Sequence, residues 1–191
     1  MAEAAEKLTH TFAEYIALEE ASDTKHELIN GEIYATAHGT PEHGRLAMRM
    51  AWALRTALGK RPCEVFSSDV RVRVPATGLA TYPDLSVVCG RMEIDPENRN
   101  TINNPIVIVE VLSESTESYD RGKKFRHYRS IPSPRDYLLV SQDDVWVEHY
   151  VRATDGNWVL HDTLPGGTIA LASCGVELRV DRLYLKVFEA P

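Results

Sequence analysis

Three residues stand out for the chemistry their types and spacing allow. They are Asp84 in Tyr82-Pro83-Asp84-Leu85, Glu110 at the end of the apolar run Ile106-Val107-Ile108-Val109, and Lys124 in the basic stretch beyond it. A carboxylate inside an apolar run is costly to bury unless something compensates it. Asp84 and Glu110 each belong to a β-rich segment, and two carboxylates on neighbouring strands repel unless a cation lies between them. Hard divalent ions such as Mg²⁺ or Mn²⁺ take oxygen ligands and keep several waters for substrate phosphates. Lys124 falls one turn into the following helix, where its ammonium can reach over the same sheet edge. A metal with a lysine suits phosphodiester cleavage: the ion polarises phosphate and acidifies a water, and the ammonium stabilises developing negative charge. Each residue also has a plainer reading. Glu110 can be a core glutamate paired with Arg71 or Arg73, Asp84 can shape a Pro-Asp turn, and Lys124 can be a solvated helix charge. Tyr128, four residues after Lys124, reads as core packing.

The elements that must position these residues follow from local pattern. Thr11 and Glu14 have capping-box spacing, with Phe12, Tyr15 and Ile16 giving the helix an apolar face. Asn30-Gly31 between apolar flanks predicts a hairpin, which puts Glu27 and Glu32 on adjoining strands. After the turn-like His38-Gly39-Thr40-Pro41, Leu46, Met50, Ala53, Leu54 and Ala57 recur at helical spacing up to Gly59, and His43 lies in the first turn. Strands are expected at 64–66, 69–74 and 81–88, with Pro83 at the start of the last. Residues 91–104 read as a polar loop. Ile106–Leu112 reads as a strand buried on both faces. Asp120 is placed to cap a helix over 121–130, ended by Ile131-Pro132-Ser133-Pro134. Beyond it come strands at 137–140, 145–151 and 158–161, then a short strand and a last helix from Asp181. Runs of strands with few helices argue for a mixed α+β fold, a central mixed sheet flanked by helices, rather than a doubly wound parallel sheet.

At 191 residues with 43% hydrophobic and 26% charged content, the chain has the composition of one ordinary globular domain spanning 1–191, with 1–10 a frayed end. No apolar run reaches membrane-spanning length, and no secretion signal is visible. Three widely separated cysteines without a CxxC pair argue against a disulfide or zinc site and for a cytoplasmic location. The net charge of −7 carries no basic footprint, so any nucleic-acid role rests on a local basic patch or on bound metal. His26, His38, His127, His149 and His161 show no metal-ligand spacing.

The order Glu27-Leu28-Ile29-x-Gly31-Glu32, His43 after Pro41-Glu42, Pro83-Asp84, Glu110-Val111-Leu112-Ser113 with Ser115-Thr116, Asp120, Lys124 and Tyr128 resembles the Uma-two family, from about Thr11 to Phe188. That bacterial group is placed in the restriction-endonuclease-like PD-(D/E)xK nuclease superfamily. The resemblance implies that Asp84 and Glu110 are metal ligands for Mg²⁺ or Mn²⁺. The lysine expected two residues after the glutamate is Leu112 here, which makes Lys124, ahead of Lys123, its migrated substitute. Glu32 or Glu27 would supply a further acidic group, and His43 would lie near the metal. The implied activity is an endonuclease acting on nucleic acid, DNA before RNA, with a homodimer by analogy. The rival readings are a non-catalytic nucleic-acid- or protein-binding module and a hydrolase of small phosphate esters.

Overall fold

The computed structural model describes residues 9–36 and 39–188. Most of the expected N-terminal fray, residues 1–8, and His38 of the expected turn lie outside the described residues. Helix α1 (Phe12–Ala21) begins at the anticipated capping box, where Thr11 and Glu14 exchange side-chain and backbone hydrogen bonds. Strands β1 (His26–Ile29) and β2 (Glu32–Ala35) form the hairpin. Asn30 and Gly31 both adopt positive φ, 51° and 83°, as a type I′ turn requires. Helix α2 (Pro41–Leu58) is capped by the Thr40 hydroxyl, stops at Gly59, and buries Leu46, Met50, Leu54 and Leu58.

The next strands are β3 (Cys63–Ser67), β4 (Arg71–Val74), β5 (Leu79–Thr81), β6 (Leu85–Cys89), β7 (Ile94–Asp95), β8 (Asn98–Ile102) and β9 (Val107–Val111). Helix α3 (Glu117–Tyr119) then runs through a π-helical turn, Asp120–Lys124, into α4 (Phe125–Arg129). Strands β10 (Asp136–Val140), β11 (Val147–Arg152), β12 (Trp158–Thr163), β13 (Thr168–Leu171) and β14 (Val176–Arg179) precede helix α5 (Val180–Leu183). Two six-stranded mixed sheets result, β12-β11-β10-β9-β6-β3 and β2-β1-β5-β4-β8-β7, with β13 and β14 as a separate hairpin. The parallel pairs are β9 with β10 and β4 with β8.

Strand β9 lies inside the first sheet. Its residues Val107, Val109 and Val111 pack in one core with the buried face of α2. Ile108, and Leu112 just beyond, pack in a second core with Phe125, Tyr128 and Tyr137 and with Val72 and Val74 of the other sheet. Both faces are covered, so the run is continuously apolar instead of alternating. With a side-chain period of two, Glu110 shares its face with Ile108 and Leu112.

Four expectations are corrected. The strand over 81–88 is two strands in different sheets. Pro83, which has no N–H to give a ladder, lies at the crossing with Asp84 immediately after it. The loop over 91–104 contains the β7–β8 hairpin, held by polar side chains: Asp95 accepts from Arg73 and Asn103, and Asn104 bonds Arg91 and Glu93. Asp120 does not cap a helix; the helical segment starts at Glu117 and Asp120 lies buried inside it. Cys63 and Cys89 are opposite each other on β3 and β6 and form a disulfide. The pairing depends on strand register across 26 residues of sequence, which spacing alone does not reveal, and it removes the cysteine argument for a reducing compartment. Among the described residues no helix is long and apolar enough to cross a membrane.

Candidate functional site

Antiparallel pairing of β6 with β9 sets Leu85 against Val109, so Asp84 and Glu110 stand side by side where the chain passes between the two sheets. They are clasped reciprocally. Asp84 Oδ2 accepts the Val111 N–H at 2.7 Å, and Glu110 Oε2 accepts the Asp84 N–H at 3.4 Å. From the first turn of α2, His43 Nε2 reaches Asp84 Oδ2 at 3.2 Å.

Lys124 comes from the helical side. Its ammonium is 2.8 Å from Glu110 Oε1, 3.5 Å from Asp120 Oδ1 and 3.7 Å from Glu27 Oε1. Asp120, Lys124 and Tyr128 are spaced four apart, so they share a helix face, and the Tyr128 hydroxyl donates to Glu110 Oε1 at 2.8 Å. Leu112, where a motif lysine was expected, packs instead among Phe125 and Tyr128. Lys124 precedes Phe125 directly, so the helix that covers Leu112 also brings the Lys124 ammonium to Glu110. Lys123 is exposed. Glu27, His43, Asp84, Glu110, Asp120 and Lys124 line a cavity of about 790 Å³, with Ser113, Thr116 and Gln142 at its polar wall.

Burial shapes the electrostatics. Glu110, Asp120 and Lys124 are 3%, 3% and 6% exposed. Desolvation pushes the Glu110 carboxyl up to about 8, against the pull of Lys124 and with Asp120 and Asp84 adding to the rise. Burial raises Asp120 in the same way. Burial disfavours the charged Lys124, but Glu110, Glu27 and Asp120 outweigh it and hold the ammonium protonated well above the usual lysine range. His43 is raised by its hydrogen bond to Asp84, against desolvation. The cavity therefore gathers the carboxyls of Glu27, Asp84, Glu110 and Asp120 around Lys124, with burial favouring the neutral form of Glu110 and Asp120.

The structure brings together Asp84, Glu110, Lys124, Glu27 and His43. Glu32 it does not: that side chain lies on β2, accepts from the Tyr34 hydroxyl and is not among the cavity-lining residues. Neither arginine considered for Glu110 meets it. Arg71 bonds Tyr15, Tyr82, Asn98 and Thr101, and Arg73 bonds Asp95 and Glu97. Sequence reasoning missed the place of Asp120 in the site and the hydroxyl of Tyr128; the 120/124/128 spacing was the signal that could have found both.

The Uma2 family model, described as "Putative restriction endonuclease", matches residues 12–181. The chain belongs to the Uma2 family. Two uncharacterized proteins of Synechocystis sp. are similar to this Uma2 chain. One is 37% identical over 174 residues, covering 90% of this chain and 89% of the relative. The other is 35% identical over 154 residues, covering 81% and 87%. The fold is similar to a crystal structure described as "a putative nuclease belonging to DUF820 from Anabaena variabilis", with a TM-score of 0.77 at 18% identity, covering 93% of this chain and 99% of that one. That likeness speaks to the fold, and the mixed α+β architecture expected from sequence, mixed sheets flanked by helices, is the one observed.

The donor set of this Uma2 chain fits a hard divalent cation in kind. Asp84 and Glu110 offer carboxyl oxygens that favour a cation once ionised, and the buried Asp120 Oδ1 has no hydrogen-bond donor, only the Lys124 ammonium at 3.5 Å. Among the described residues no three His, Cys, Asp or Glu side chains group tightly enough to enclose an ion by themselves. Two carboxylates with water completing the shell is the arrangement Mg²⁺ commonly takes.

Proposed function

We propose that this chain is a divalent-metal-dependent endonuclease that hydrolyses phosphodiester bonds of nucleic acid, with DNA as the expected substrate. The observation that supports this best is the buried ammonium of Lys124 on the carboxylate of Glu110, beside Asp84, in one open cavity. It is the arrangement expected if the missing motif lysine has moved to the next helix. Asp84 and Glu110 would hold Mg²⁺ or Mn²⁺. When bound, the ion supplies Lewis-acid polarisation of the phosphate and a lowered water pKa.

The protein's own groups do the rest. Lys124 stays protonated and offers a fixed positive charge where negative charge develops on the phosphoryl oxygens, with no reorganisation at the moment of reaction. Asp120 and Glu27 hold that ammonium in position. Tyr128 fixes the Glu110 carboxylate by donating to Oε1, the oxygen Lys124 also contacts. His43 orients Asp84 from the opposite side, and Val111 N–H anchors the same oxygen. Glu32 has no part in this scheme.

The test is cleavage of supercoiled plasmid DNA in Mg²⁺ or Mn²⁺, with EDTA as control. The wild type is expected to nick or linearise the plasmid only with metal, and Asp84→Ala and Glu110→Ala to be inactive. Equal metal-dependent cleavage by both variants would overturn the assignment.

A further inference from the structure

An acidic chain needs a local basic surface to meet a polyanion, and α2 carries one. At 100° per residue, Arg45, Met48, Arg49, Trp52 and Arg55 fall within about a third of the helix circumference, opposite the face that buries Leu46, Met50, Leu54 and Leu58. Met48 and Trp52 are 71% and 65% exposed. Lys60 and Arg61 continue the positive charge past the helix end, and Glu42 is the one carboxylate between Pro41 and Arg61. Among the described residues the arginines that pair with carboxylates are Arg73, Arg121 and Arg179, none of them on this helix. Arg45, Arg55 and Arg61 donate only to backbone carbonyls. Among the described residues no carboxylate neutralises the charge on this face.

We infer that this face of α2 is a docking surface for an unpaired nucleic-acid strand, with phosphates on the arginines and a base stacked on Trp52. The inference rests on the nuclease reading above. A cationic track interrupted by an exposed aromatic ring is how single strands are held without sequence preference. The helix starts at the cavity, where His43 lies in its first turn, and extends about 27 Å from it at 1.5 Å per residue. A strand leaving the site thus has a path of several nucleotides along it. A second copy of this chain is the poorer occupant. Two-fold pairing of this face would set its arginines against their own copies.

The test is fluorescence anisotropy with labelled (dT)20 and a 20-base-pair duplex, in EDTA across a salt series. It uses the wild type, Trp52→Ala and Arg49→Ala/Arg55→Ala, with thermal melts to confirm folding. Trp52→Ala is expected to weaken (dT)20 about tenfold and the duplex little. The double arginine variant is expected to weaken (dT)20 at least tenfold and to flatten the log–log salt slope by about 1.4, two contacts at ~0.7 each on a single strand. Variants that bind (dT)20 within twofold of the wild type would overturn the inference. So would a concentration-dependent dimer lost in Trp52→Ala with nucleic-acid binding intact. A wild type that binds (dT)20 through these residues yet cuts no nucleic acid would leave the surface standing and remove the nuclease reading. Cleavage by the wild type together with unaltered binding by the variants would remove the surface alone.

Discussion

Glu110→Gln should abolish activity and yet make the metal-free protein relatively more stable as the pH rises. Glu110 is 3% exposed, and burial moves its carboxyl from the ordinary value of 4.5 up to about 8. Because the folded value lies above the unfolded one, its contribution to stability is fully present below about pH 4.5. It is lost progressively as pH rises through about 8. Each pH unit in that window costs about 1.4 kcal/mol, so the ceiling is near 5 kcal/mol, and relaxation with water entry should leave about 2–3 kcal/mol. Glutamine keeps the shape and a hydrogen-bonding oxygen without the titration, and Lys124 keeps Asp120 and Glu27 as partners. Urea unfolding in EDTA at pH 5.5 and 8.5 reads the difference, since other titrating groups largely cancel between the two proteins. The wild type should lose ~2–3 kcal/mol more than Glu110→Gln between those pH values, and Mn²⁺ at pH 8.5 should restore much of that loss. Parallel losses within about 0.5 kcal/mol, or a variant that loses more than the wild type, would refute the electrostatic reasoning.

Lys124→Met removes the ammonium and leaves three closely placed carboxylates; urea unfolding in EDTA should show a loss of about 3–5 kcal/mol, as for breaking any buried ion pair from one side. Since Glu110 must shed its proton to bind a metal, Mn²⁺ affinity by calorimetry should rise with pH and level off above about 8, with proton release in proportion. Tyr128→Phe deletes one hydrogen bond to Glu110 Oε1 and should cost about 1–2 kcal/mol in urea unfolding while slowing cleavage. Cys63→Ser should lower stability by about 3 kcal/mol under oxidising conditions and hardly at all in reductant, given the loop that the Cys63–Cys89 bridge closes.

Much of the candidate site was legible in residue order because its members lie at places where local rules are strong. Glu110 was visible as a charge in a run too apolar to hold one, and the hairpin turn at Asn30-Gly31 located Glu27. Glu27 and Glu32 could not be told apart from sequence, because choosing between them needs the packing of β1 against β5, where Thr81 donates to Glu27. Asp120 was misread for a related reason: an acidic residue before a basic helix looks like a cap, and only the burial of its face against Lys124 shows otherwise. The segment 91–104 read as a loop because its strands are held by Asp, Asn and Arg side chains rather than by apolar alternation. The Cys63–Cys89 bridge was hidden because cross-strand register is a tertiary fact. Pro83 was read as the start of one strand, whereas it lies between β5 and β6 at the crossing between two sheets that sets Asp84 beside Glu110.

Lys124 is expected to work with Asp84 and Glu110 as one metal-dependent centre. Its most direct test is single-turnover cleavage of DNA in Mn²⁺ by the wild type and Lys124→Met, with Mn²⁺ affinity measured on the same samples. The expected result is metal-dependent cleavage by the wild type and a rate at least 10²-fold lower for Lys124→Met, a loss typical of removing one preorganised electrostatic group, with the ion still bound. Cleavage by Lys124→Met within a few-fold of the wild type, or a wild type that neither binds Mn²⁺ nor cuts, would contradict it.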